Sequence, residues 1–110
     1  MAVAAAHLGE AAERWSLPGP DWITWRSWGD EFVVYNGARA STHLLSSLAG
    51  AVLEVMHEPP VPRTVDDLVL QLAESFELPL EGGAAASLRA SVADALIEFE
   101  RLGLATRTTS

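Results

Sequence analysis

Two short runs rich in aromatic and β-branched residues follow the alanine-rich opening of the sequence. They are Trp22-Ile-Thr-Trp-Arg-Ser-Trp28 and Glu31-Phe-Val-Val-Tyr35. The dipeptides Gly29-Asp30 and Asn36-Gly37 bound them, and that combination is the signature of a hairpin. In a strand, Ile23 and Trp25 face one side while Trp22, Arg26 and Trp28 face the other. One side is core; the other is covered by the N-terminal segment or receives a partner. Asn36-Gly37 favours a second tight turn into Ala38 to Leu45, whose first half reads as a third strand. The expectation is a three-stranded antiparallel meander from Trp22 to about Leu45.

From Ser46 the period changes to that of a helix. Leu48, Val52, Val55 and Met56 share one face, and Ala49 and Leu53 widen the apolar surface, as in a buried central helix. Ser46 is a plausible N-cap, with Ser41 or Thr42 as alternatives if the helix begins earlier, and Glu58-Pro59-Pro60-Val61-Pro62 ends it. Thr64 caps a second helix whose first turn holds Asp66 and Asp67, where the helix dipole favours acids. Its stripe is Val65, Leu68, Val69, Leu72 and Phe76. A third helix runs from Ala84 to Leu102 with Gly103 at its C-terminal stop. Leu88, Val92, Ala95, Leu96, Phe99 and Leu102 form its core stripe, and Ala86, Ala90, Ala93 and Ile97 cluster about half a turn away. Leu104 to Thr108 is polar and β-prone, suited to a short closing strand.

The helices are therefore expected near 46–57, 64–77 and 84–102. Phe32 or Val33, Leu48, Val52, Leu68, Leu72, Leu88, Val92, Leu96 and Phe99 are the expected core. The fold class is α+β: a winged-helix-like arrangement with a three-stranded antiparallel sheet followed by three helices. The alanine-rich segment from Met1 to Pro20 lacks a core stripe and ends in Leu17-Pro18-Gly19-Pro20. It reads as an arm, helix-capable over Ala4 to Trp15, whose Trp15 docks on a domain spanning 21–108.

Composition narrows the function classes. The chain has 110 residues, enough for one domain, and at 49% hydrophobic it can bury a core. Fifteen acids stand against seven bases, all arginine, for a net charge of -8. So acidic a chain lacks the footprint that phosphate binding requires, which argues against a nucleic-acid partner. The third helix sharpens this, since Arg89 and Arg101 are outnumbered there by Asp94, Glu98 and Glu100. Cysteine is absent, so disulfides, thiolate metal sites and cysteine nucleophiles are excluded. No lysine or arginine precedes Arg14, as a secretory leader would need, and no uncharged stretch suits a membrane span. The expected location is the cytoplasm.

Candidate catalytic groups do not converge. His7, His43 and His57 fall in the arm, at a strand end and at a helix end, without metal-ligand spacing. Asp66 and Asp67 are adjacent in a helix and point about 100° apart, so capping explains them. Ser46-Ser47 has no base nearby in sequence. Gly82-Gly83 lacks the lysine and spacing of a phosphate loop. The expectation is a non-catalytic protein without metal or cofactor.

Several segments together carry a resemblance. They are Trp25-x-x-Trp28-Gly29-Asp30-Glu31-x-Val33-Val34-Tyr35-Asn36, Ser41-Thr42-His43-Leu44-Leu45, Val52-Leu53, Thr64-Val65-x-Asp67-Leu68 and Leu96-x-x-Phe99-x-x-Leu102-Gly103-Leu104. Over about Asp21 to Thr108 the chain resembles the PqqD-like peptide chaperones, in the branch associated with HPr-kinase-related proteins (the HPr-rel-A system). The Trp-Gly-Asp-Glu and Thr-His-Leu-Leu pieces are the specific ones. Where better-known members show Leu-Asn before the first helix, this chain has Leu45-Ser46, and Ser46 can still cap.

The resemblance implies a module that recognises the leader of a ribosomal precursor peptide and presents it to modifying enzymes. The peptide would add as a strand beside the third strand, in a groove walled by the third helix. The implied genomic partners are an HPr-kinase-like protein and a nucleotidyltransferase-like protein. The alternative is a winged-helix-type adaptor or regulatory protein that binds the HPr-kinase-like partner. For strand addition the candidate residues are Arg39, Ala40, Ser41, Thr42, His43 and Leu44 on the strand. On the helix they are Ala90, Ala93 and Ile97 of the small apolar strip, flanked by Arg89 and Arg101 to pair with leader acids. The same strip could instead pack on the arm or on a second copy. A homodimer through the arm or an open strand edge and a monomer are both compatible with this reading.

Overall fold

In the computed structural model, residues 13–109 are described apart from 30 and 59. Residues 1–12 of the expected arm, with His7, lie outside the described residues, as do Asp30 of the hairpin turn and Pro59 of the proline run. The elements in chain order are β1 (Glu13–Ser16), a 3₁₀ turn (Pro20–Trp22), β2 (Ile23–Trp28), β3 (Glu31–Asn36), β4 (Ser41–Leu45), α1 (Ser47–His57), α2 (Val65–Ser75), α3 (Ala84–Leu102) and β5 (Thr106–Thr109). The protein is thus α+β, and three helices follow a three-stranded antiparallel sheet ordered β2-β3-β4.

The first hairpin pairs Trp28 with Glu31 across a two-residue turn, where Gly29 takes φ +57°. The second connection is longer than the expected tight turn, because β4 begins at Ser41 opposite Asn36 and residues 37–40 form the loop. Asn36 explains the difference. Its side chain is buried, its Oδ1 accepts the Ala38 amide at 3.0 Å, and its Nδ2 donates to the Gly103 carbonyl at 3.4 Å. That Asx-type bond shapes the loop, and Ala40, not Gly37, takes the left-handed conformation (φ +51°).

Alternation places Ile23, Trp25, Phe32, Val34, Asn36, His43 and Leu45 on the sheet face that meets the helices. Phe32 is therefore the core residue of the Phe32–Val33 pair, and Val33 lies half-buried on the opposite face. The helices are capped as their sequences suggest. Ser46 accepts from the Ala49 amide, and Thr64 and Asp67 form a reciprocal capping box. Gly103 ends α3 at φ +77°.

Leu48 departs from expectation: it is half-buried at the margin of the core. Gly50 is the cause. A Cβ built there would stand 2.3 Å from the Phe32 ring, so α1 turns Gly50 to the sheet. Leu48, 200° away around the helix at ~100° per residue, is swung off that contact. Leu88 is also only half-buried, because the 19-residue α3 outruns the 11-residue α1 and α2. The remaining expected core residues, Val52, Leu68, Leu72, Val92, Leu96 and Phe99, are all buried.

The core reaches N-terminal to Asp21. Residues 13–16 are not helical; β1 pairs antiparallel with β5, from Glu13↔Thr109 to Ser16↔Thr106. Trp15 and Leu17 are buried in the same cluster as the helices. Trp15 also exchanges both backbone hydrogen bonds with Arg63 (2.7 and 2.9 Å). The Arg63 side chain is buried and donates to the Val55 carbonyl at 2.6 Å; burial lowers its pKa, with Asp67 opposing. On the outside, Arg107 lies 5.3 Å over the Trp15 ring and bonds Glu100 (3.1 Å) and Glu13 (3.4 Å). One arginine thereby ties β1, β5 and α3.

Candidate functional site

The hydrogen-bond phase of the sheet follows from one contact. The Gly37 amide donates to the Trp22 carbonyl at 2.7 Å, which makes 22–37 a hydrogen-bonded pair. In an antiparallel ladder such pairs alternate with non-bonded ones, so 24–35 and 26–33 are bonded too. The other residues of β3, Phe32, Val34 and Asn36, then turn their amides and carbonyls toward β4. There they meet Leu45, His43 and Ser41. The N–H and C=O groups of Thr42 and Leu44 consequently point away from β3. Among the described residues β4 has no neighbour on that side. Both residues are exposed, and Leu44 keeps 66% of its surface in solvent.

Beside this edge lies a groove of about 350 Å³. Leu44, Leu45 and Ser46 form its strand side, Leu48 and Ala49 of α1 its floor, and Ser91, Asp94, Ala95 and Glu98 of α3 its wall. A second depression of about 360 Å³ prolongs the trough past Ser91 to Ser87, Ala84, Leu78 and Pro79. The half-buried Leu48 and Leu88 each line this trough.

The electrostatics of the wall are acidic. Arg101 hydrogen-bonds Glu98, and that bond, aided by the charges of Arg101 and His43, holds the Glu98 carboxyl below its ordinary pKa against the opposing effect of desolvation. The same bond raises the pKa of Arg101. Asp94 has no ionic or hydrogen-bonding partner among the described residues. His43 lies half-buried on the helix-facing side of β4, with its Nε2 3.1 Å from Ser41 Oγ.

The residues singled out from sequence divide into three groups. Ser41, Thr42, His43 and Leu44 stand on β4, and Leu44 borders the groove. Arg39 and Ala40 fall in the preceding loop. Arg39 lies along Gly103, where a built Cβ would meet its Cζ at 2.4 Å, and lines a separate cavity of about 150 Å³ with Trp22 and Asn36. On α3, Ala90, Ala93 and Ile97 are not among the groove's lining residues, and Ile97 is 53% exposed. Arg89 is bound to Asp66 of α2 at 2.6 Å, and Arg101 to Glu98.

The wall is thus displaced by one residue, ~100° of helix rotation, from the anticipated strip. A helical wheel contains the signal for this. A strip half a turn from the core stripe points away from the sheet as well as the core, so a groove beside the sheet edge must lie at the margin of the core stripe. Ser91, Asp94 and Glu98 occupy that margin.

Among the described residues no helix is long and apolar enough to cross a membrane, and no group of three or more histidine or acidic side chains could hold a metal ion. No protein-family model, curated protein or solved structure matches the chain.

Proposed function

We propose that this protein is a non-catalytic peptide-recognition module of the PqqD-like kind, winged-helix-like in arrangement. It accepts the leader of a ribosomal precursor peptide as an added strand on β4 and presents it to a modifying enzyme in the cytoplasm. The observation that carries this reading is the pair of outward-facing residues, Thr42 and Leu44, whose backbone groups border a trough walled by α3. Strand addition uses such groups for affinity, and side-chain pockets at alternate positions for selectivity. The order of three strands followed by three helices is also the order that the resemblance implies. Duplex DNA fits α3 poorly, since both of its arginines are engaged by acids.

A second reading is favoured by a different surface. On the sheet face away from the helices, Trp28, Tyr35 and Leu44 are 58%, 44% and 66% exposed. That face suits a folded protein partner, such as the HPr-kinase-like enzyme of the adaptor alternative.

The test uses labelled synthetic peptides translated from the short reading frames beside the gene, titrated against the full chain by fluorescence anisotropy. The peptide reading expects saturable binding by one leader. If none of them binds while the protein captures the neighbouring kinase-like enzyme, the adaptor reading replaces it.

A further inference from the structure

The groove specifies the charge of its occupant, and the specification is opposite to the one expected from Arg89 and Arg101. We infer, on the strand-addition reading, that the occupant is an extended segment with an apolar residue opposite Leu45 and a lysine or arginine two positions away, opposite His43, facing Asp94 and Glu98.

Side-chain direction gives the two positions. A guest strand bonded to Thr42 and Leu44 turns the side chains opposite those residues to the outer sheet face, alongside theirs. The guest residues opposite His43 and Leu45 therefore point to the helices, into the trough. Next to Leu45 the surroundings are Leu48, Ala49 and Ala95, which are apolar and shallow. On the α3 wall Asp94 and Glu98 flank Ala95, and Glu98 is near enough to His43 to feel its charge.

The cations expected to receive leader acids are engaged elsewhere. Arg89 is committed to Asp66 and lies outside the groove lining. Arg101 is held by Glu98, so an incoming carboxylate would have to displace Glu98 and still face Asp94. An incoming cation meets Asp94, which has no partner among the described residues, and shares Glu98 with Arg101. The net charge of -8 acts in the same direction at longer range, attracting cationic segments and repelling acidic ones.

Three fluorescein-labelled nine-residue peptides of alternating threonine and valine test this. They differ only in the central inward-facing valine, replaced by lysine, glutamine or glutamate. Titrated against the full chain at low salt, the lysine peptide should bind about threefold more tightly than the glutamine peptide and about tenfold more tightly than the glutamate peptide. The ratios should shrink at high salt and approach one in the Asp94→Asn, Glu98→Gln double variant. Equal affinities, a preference for glutamate, or a lysine preference that survives the double variant would overturn the charge assignment while leaving strand addition standing. If all three peptides and every leader peptide fail to bind, strand addition falls and this assignment with it.

Discussion

Proline at position 44 separates the proposed docking edge from the fold that carries it. The Leu44 amide is directed at the open side of β4, so Leu44→Pro removes no bond from the β3–β4 ladder. The side chain lost is 66% exposed, and its neighbour His43 is already in extended backbone, as a residue before proline prefers. The cost to the fold should stay within about 1 kcal/mol, a shift in Tm of no more than ~4–8 °C. A bound guest strand feels the change directly. It loses one hydrogen bond, about 0.5–1.5 kcal/mol, and is left with an unpaired carbonyl costing ~1–3 kcal/mol more. Affinity should therefore fall roughly 10- to 1,000-fold. His43→Pro is the converse variant. The amide of His43 bonds Val34, whose residue is fully buried, so its loss should destabilise the fold by ~1–3 kcal/mol or more. Anisotropy with a bound leader peptide and thermal melts of both variants read the two effects. Undiminished binding by Leu44→Pro would show that no strand adds at β4. A stable His43→Pro beside an unfolded Leu44→Pro would show the reverse ladder phase, with Thr42 and Leu44 bonded to β3.

Gly50→Ala should lower Tm although alanine is the better helix former. The added methyl meets the buried, stacked Phe32 ring at 2.3 Å, and overpacking of ~1–3 kcal/mol outweighs the roughly 1 kcal/mol helix gain. Trp15→Ala should cost about 3–5 kcal/mol in urea unfolding, a large share of a small domain's stability, because Trp15 is core and not a detachable arm. The pH profile follows from Glu98. Its pKa is lowered in the fold by Arg101, so the pair is fully present above the ordinary carboxylate range and is lost only as pH falls through the depressed value. Lysine-peptide affinity should hold from neutral pH through the ordinary carboxylate range and decline only below it; a decline centred near neutrality would contradict this.

The parts of this fold legible in the sequence are those whose determinants are local. Thr64 and Asp67 cap α2 through side chains three residues apart, and Gly103 ends α3 by its own conformation. Gly29 and the aromatic runs around it mark the first hairpin in the same way. β1 has no such signal. Its four residues, Glu13-Arg14-Trp15-Ser16, carry no alternation of their own, and their partner Thr106–Thr109 lies at the other end of the chain. The loop after Asn36 departs from a tight turn because the buried Asn36 side chain accepts the Ala38 amide while its Nδ2 reaches the distant Gly103 carbonyl. Of the candidate site, Ser41 to Leu44 are legible as a strand with an open edge. The wall is not, since it depends on how α3 is rotated against β4 and on which arginines are already taken by Asp66 and Glu98. Periodicity gives a helix its faces, but only packing says what each face meets.

Hydrogen–deuterium exchange of single β4 amides, followed by NMR with and without a leader peptide, tests the central claim most directly. In the free protein the amides of His43 and Leu45, bonded to β3, should exchange slowly, and those of Thr42 and Leu44 fast. On adding peptide, Thr42 and Leu44 should become protected while His43 and Leu45 change little. Saturable binding that leaves Thr42 and Leu44 exchanging fast, with protection arising on another element, would contradict strand addition at β4.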